Sequence, residues 1–167
     1  NAKEKVGVDP KPRFWRLPVP SGIRVWKSTS KEFFENYDGQ FFDLILLDGL
    51  HEAWETYCDL VASLRVLNPG GGIMIDDVLP SDLPSALPNP DESRQGKERE
   101  GITHHRWYGD VWKLGALLVE RYPTLRHVIV GNGVGPGGND HGQMFLGPID
   151  NPKAVVFDAA NDFEFME

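Results

Sequence analysis

Along the chain, short unbroken apolar runs alternate with stretches whose apolar residues recur at helical spacing. Lys5-Val6-Gly7-Val8-Asp9 reads as a short buried strand closing on a carboxylate, and Pro10 and Pro12 then forbid regular structure. Ile23-Arg24-Val25-Trp26 is a second strand, introduced by Ser21-Gly22. Ser30 is expected to cap a short helix, with Phe33, Phe34 and Tyr37 following at helical spacing. Phe41 to Asp48 is the clearest strand, and its continuous apolar run suits a parallel strand covered on both faces. From Glu52 to about Leu67 the apolar residues Ala53, Tyr57, Leu60, Val61, Leu64 and Leu67 share one helical face. Asn68-Pro69-Gly70-Gly71-Gly72 is expected to stop that helix ahead of a strand, Ile73-Met74-Ile75-Asp76-Asp77.

The order β, β, α, β, α, β with short connections predicts an open, doubly wound α/β sheet. Leu79 to Trp107, with four prolines and a charged run from Arg94 to Glu100, is expected to be a mobile lid rather than an ordinary connection. Helical periodicity resumes at Val111, Leu114, Leu118 and Tyr122 and ends at Pro123. Leu125 to Val130 and Gln143 to Leu146 read as two strands joined by a glycine-rich loop, while Phe157 to Glu167, acidic and aromatic, fits no element.

At 167 residues, 40% apolar and 25% charged, the chain is expected to fold as one domain, residues 1–167. A net charge of −8 repels phosphate backbones and anionic lipids, which argues against nucleic acid and membrane as partners. A single cysteine, Cys58, makes no internal disulfide, and with neither a signal peptide nor an apolar span in view the expected compartment is cytoplasmic.

Three strands close on acids: Asp9, Asp48, and the adjacent Asp76 and Asp77. Open α/β sheets bind ligands outside the carboxyl ends of their strands, so these side chains are candidates for one crevice. Clustered carboxylates repel unless protons or a cation neutralise them, and hard oxygen donors suit Mg²⁺, with Mn²⁺ or Ca²⁺ as alternatives. His51, three residues beyond Asp48, is a candidate general base or a helix-entry residue bonded to backbone. Asp110 is expected to cap the helix it precedes, with Trp112 in the core; His104 and His105 are either solvated or contacts to a substrate or metal.

Val6-Gly7-Val8-Asp9-Pro10, then FDLILLDGLH over 42–51, then LNPGGGIMIDD over 67–77 resemble the second, fourth and fifth strands of class I S-adenosylmethionine-dependent methyltransferases. Within that superfamily the spacing is most similar to metal-dependent O-methyltransferases, including those acting on macrolide sugars, over roughly residues 5 to 147. The resemblance implies a Rossmann-like, mostly parallel sheet with an antiparallel last strand. It implies Asp9 on the cofactor ribose, Thr29 and Ser30 near the adenine, Gly49 lining that side, Asp48, Asp76 and Asp77 on a divalent metal, and His51 as base. The acceptor is then a small hydroxylated molecule; self-association stays open. An incomplete, non-catalytic module and a metal-dependent hydrolase are the rival readings.

The family's first strand and glycine-rich turn have no counterpart from Lys5 onward. The resemblance therefore expects them ahead of Asn1, or expects the gap between the strands at Lys5 and Phe42 to be closed by direct pairing, by the C-terminal tail or by a neighbouring chain. Gly133-Val134-Gly135-Pro136-Gly137-Gly138 fits GxGxxG, but a strand rather than a helix follows it, so it reads as a connection and not a nucleotide site.

Overall fold

The computed structural model describes residues 2–12, 22–131 and 142–167, so the GxGxxG segment falls outside the described residues. The chain forms two compact units, Asn1–Gln40 and Phe41–Glu167.

In the first unit, β1 (Lys5–Val8) pairs in parallel with β2 (Ile23–Trp26), and α1 (Ser30–Asn36) follows. Its small core is aromatic: Phe33 lies edge-on to Trp26 at 5.4 Å and against Tyr37 at 4.7 Å. The helix cap is Thr29, one residue before the expected Ser30. Thr29 Oγ1 accepts from the Glu32 amide while the Glu32 carboxylate accepts from the Thr29 amide, a reciprocal box that Ser30 lacks the spacing to make.

In the second unit, β3 (Phe42–Leu47), β4 (Leu67–Ile75), β5 (His127–Val130) and β6 (Gln143–Ile149) form a sheet in the order β3-β4-β6-β5. β3 and β4 are parallel, and β6 runs antiparallel to both its neighbours. β4 begins at Leu67 rather than at the expected Ile73, absorbing the proline and glycines through register shifts on both sides. Glycine is required at position 72 because a Cβ there would stand 2.4 Å from the Phe145 ring.

One face of the sheet is the core. Ile73, Ile75, Met144 and Leu146 are fully buried with α2 (Ala53–Ser63) and α4 (Trp112–Arg121), through Tyr57, Leu60, Leu114, Leu117 and Leu118. The other face carries Leu44 and the row Leu46, Met74, Phe145, Val128. Leu44, Leu46 and Val128 are 58%, 56% and 59% exposed, so β3 is covered on one face and not on two as its sequence suggested. Among the described strands β1 pairs only with β2, and β3 only with β4. The C-terminal segment, which fits no element by sequence, is helical: α5 (Ala159–Met166).

Leu79 to Trp107 is not a structureless lid. It holds a 3₁₀ turn, Pro84–Ala86, and α3 (Pro90–Glu100), with Asn89 capping, Pro90 in the first turn and Gly101 in the left-handed conformation at the end. Ser85, Ser93 and Lys97 are buried within it, and Lys97 donates to the Arg106 carbonyl. Trp112 is 39% exposed, its indole donating to the Ala86 carbonyl, and so is not the core residue expected. Among the described residues no helix is long and apolar enough to cross a membrane.

Candidate functional site

The site forms where β3 and β4 end side by side. Leu47 pairs with Ile75, and the Asp76 amide donates to the Leu47 carbonyl at 3.0 Å, which brings the residues after both strands into register. Asp48 extends from β3 into solvent, 51% exposed, whereas the Asp77 side chain is 6% exposed. His51 and Asp77 both adopt the left-handed backbone (φ 57° and 62°), uncommon for residues with a side chain and a mark of imposed local geometry.

These turns bring three ligand atoms together. His51 Nε2 lies 3.1 Å from Asp77 Oδ2 and 3.6 Å from Asp48 Oδ1, and the ligand atoms of Asp48, His51 and Asp77 all fall within 4.8 Å of one another. Asp76, placed with Asp77 by the sequence, does not join them: its Oδ1 accepts from the Asp77 amide at 3.0 Å. The left-handed backbone at Asp77 turns its own carboxylate toward His51.

His51 Nδ1 lies 3.1 Å from the Trp107 carbonyl oxygen. A carbonyl only accepts, so Nδ1 donates to it, and Nε2 is turned toward the Asp77 and Asp48 carboxylates. The Asp48 carboxylate raises the imidazole pKa above its ordinary value, Asp77 and the Trp107 carbonyl add to this, and burial opposes it. Two carboxylates and one imidazole nitrogen at this spacing suit a divalent cation, and a nearly buried carboxylate such as Asp77 needs a positive partner.

The remaining sequence-predicted residues are placed as follows. Asp9 follows β1, its Oδ1 accepting from the Lys11 amide at 2.6 Å. Thr29 is engaged in its helix cap, Ser30 opens α1, and Gly49 is exposed in the turn after Asp48. His104 pairs with Asp82 at 3.0 Å and His105 is exposed. Asp110 caps a different helix from the one expected: its Oδ1 accepts from the Ala53 amide, at the start of α2, at 2.8 Å. Sequence reading missed Trp107, whose ring stacks on His51 at 5.2 Å and 25°. No periodicity marks it; the only signal was its place at the close of the long insert.

Residues 2–78 match a family model described as a methyltransferase domain. The chain is 28% identical over 137 residues to the multifunctional non-homologous end joining protein LigD of Mycolicibacterium smegmatis, spanning 78% of this chain and 16% of that protein. Among solved structures, cofactor-bound Rv0187 from MTB superposes with a TM-score of 0.57 at 17% identity, covering 86% of this chain and 60% of that one. An O-methyltransferase from Bacillus cereus in complex with SAH superposes with a TM-score of 0.51 at 17% identity, covering 86% and 62%. The chain thus spans about three fifths of these structures and a sixth of the curated relative. The family-model match runs from β1 through β4, and the chain shares the Rossmann-like α/β fold of these solved structures.

Proposed function

We propose that the protein transfers a methyl group from S-adenosylmethionine to a hydroxyl of a small acceptor, with a divalent cation, Mg²⁺ in the first instance, held at the strand ends. The observation that carries this reading is the convergence of Asp48, His51 and Asp77 beyond two parallel strands of a methyltransferase fold.

Asp48 and Asp77 would hold the cation, with Asp76 as a further carboxylate ligand to be tested. Asp9, just beyond β1, is the candidate for the ribose diol; Thr29, Ser30, Asp48 and Gly49 are the remaining cofactor candidates. The cation would supply Lewis acidity toward the acceptor hydroxyl, and the cofactor its electrophilic methyl. His51 Nε2 accepts the hydroxyl proton, and its Nδ1–H stays on the Trp107 carbonyl, which stabilises the imidazolium that results. The acceptor oxygen bonds to the methyl carbon as the sulfur–carbon bond breaks, with its electron pair left on sulfur. Because Nδ1 is committed to backbone, Nε2 either ligates the cation or takes the proton, and the base role requires that the two carboxylates suffice for the cation.

The test is a titration of S-adenosylmethionine with and without Mg²⁺, followed by transfer of labelled methyl to a panel of catechols and sugar hydroxyls. Transfer is expected to require the cation and to fall about 10²-fold or more in His51→Ala, with cofactor binding retained. Absence of cofactor binding, or transfer indifferent to both chelation and His51→Ala, would refute the reading.

A further inference from the structure

The turn Trp107–Asp110 touches His51 from three directions, and beyond the Trp107 carbonyl it has no part in the chemistry above. The Trp107 carbonyl takes the Nδ1 proton and its indole stacks on the imidazole. Gly109, at φ 63°, passes so close that a Cβ would stand 1.7 Å from the His51 carbonyl oxygen. The Asp110 amide donates to that same oxygen at 3.2 Å, and the Asp110 carboxylate holds the Ala53 amide at 2.8 Å. His51 is therefore gripped at its ring and its carbonyl, while the helix two residues on is fixed by the same turn.

The turn is itself anchored to the insert. Trp107 Nε1 donates to the Leu87 carbonyl at 2.7 Å and the Tyr108 amide to the Ser85 carbonyl at 3.0 Å, with the Tyr108 side chain buried. A half-turn of the imidazole about its second side-chain torsion would replace Nδ1 by a carbon and forfeit the bond to Trp107. The ring is thus held in one orientation, with Nε2 toward the two carboxylates.

We propose that Trp107, Gly109 and Asp110 are positioning residues, through which the folded insert fixes the His51 ring and the direction of its Nε2. The proposal rests on the methyltransferase reading for its consequence in turnover, though not for the ring orientation itself. It makes the insert, which sequence reading treats as a lid, the support of the base.

The experiment is ¹H–¹³C and long-range ¹H–¹⁵N correlation NMR of the His51 ring on the full chain, joined to steady-state kinetics. Wild type is expected to show one sharp set of His51 ring signals with a proton on Nδ1. Trp107→Ala is expected to broaden or split that set and lower kcat by about tenfold to a hundredfold, with KM for the cofactor unchanged. Trp107→Phe, which keeps a ring over the imidazole, is expected to restore the single set and most of the rate. Gly109→Ala, with its steric clash, is the stronger perturbation but risks the fold, so the wild-type ring signals and the Phe rescue decide. A wild-type Nδ1 without a proton, or a split set in Trp107→Ala with an unchanged kcat, would overturn the proposal and leave the methyltransferase reading standing. One fixed ring orientation in a protein that transfers no methyl group would do the reverse.

Discussion

Asp162 is the buried charge on which the C-terminal helix is seated, and replacing it gives a sharp measure of how α5 is held. Its Oδ2 accepts from the Tyr57 hydroxyl at 2.9 Å and the Tyr122 hydroxyl at 2.6 Å, and Arg121 stands 3.8 Å from Oδ1. Asp162→Ala removes two charge-assisted hydrogen bonds, worth about 1.5–3 kcal/mol each, and leaves the Tyr57 hydroxyl buried with nothing to donate to. Arg121, more than a third exposed, adds little. Tyr122 is less buried and also accepts from the Asp158 amide at 3.0 Å, so part of its loss is recovered. The expected sum is about 3–5 kcal/mol, a third or more of an ordinary domain's stability. At roughly 2–4 °C per kcal/mol for a chain of this size, the melting temperature falls by about 6–20 °C. Urea unfolding gives the free energy, and the cycle Asp162→Ala, Tyr57→Phe isolates the buried pair. A loss below about 1 kcal/mol would refute the idea that α5 is fastened through this carboxylate.

Further outcomes follow from the cation site and from the same tyrosines. Asp48→Asn and Asp77→Asn are each expected to weaken Mn²⁺ binding by about tenfold or more, read by electron paramagnetic resonance, with Asp76→Asn much milder because its carboxylate serves the Asp77 amide. A stronger effect at Asp76 would return it to the ligand set. Burial, and then Asp162, raise the pKa of both Tyr57 and Tyr122 above the ordinary phenol value. Their neutral forms are therefore favoured by folding; this stability is complete below the ordinary phenol pKa and is lost as pH rises through their folded pKa values. Tyrosinate absorbance from these two rings is expected to appear only as the protein unfolds in base, and an early rise in the folded protein would contradict it.

The strands with continuous apolar runs were legible, β3 above all, since Leu44 to Leu47 is unbroken apolar sequence that ends on Asp48. The start of β4 was not, because Pro69 and three glycines deny every local strand preference. What keeps them in the sheet is tertiary: Gly72 makes room for the Phe145 ring, a contact absent from either segment alone. α3 failed the apolar periodicity test because its buried residues are Ser93, Gly96 and Lys97. Its termini nonetheless spelled it out, with Asn89 and Pro90 at one end, Gly101 at the other, and acids and bases ordered along the helix dipole. Of the candidate site, the strand-end acids and His51 could be found by residue type and spacing. Which of Asp76 and Asp77 faces His51 could not, because it depends on a left-handed backbone at Asp77 that nothing in the neighbouring residues requires.

The uncovered leucines of β3 bear on how the molecule behaves as a solute. Leu44 and Leu46 line an edge strand, and Val128 and Val130 continue the apolar surface across to β5, so that one side of the sheet is adhesive while the protein as a whole carries a charge of −8. Mutual repulsion between copies reaches only about 8 Å at physiological ionic strength and less in stronger salt. Dispersal of the protein in water is thus a contest between a screened, long-range term and an unscreened contact term. Salt, the usual remedy against non-specific association of charged proteins, acts here in the opposite sense, by removing the one force that keeps the bare faces apart.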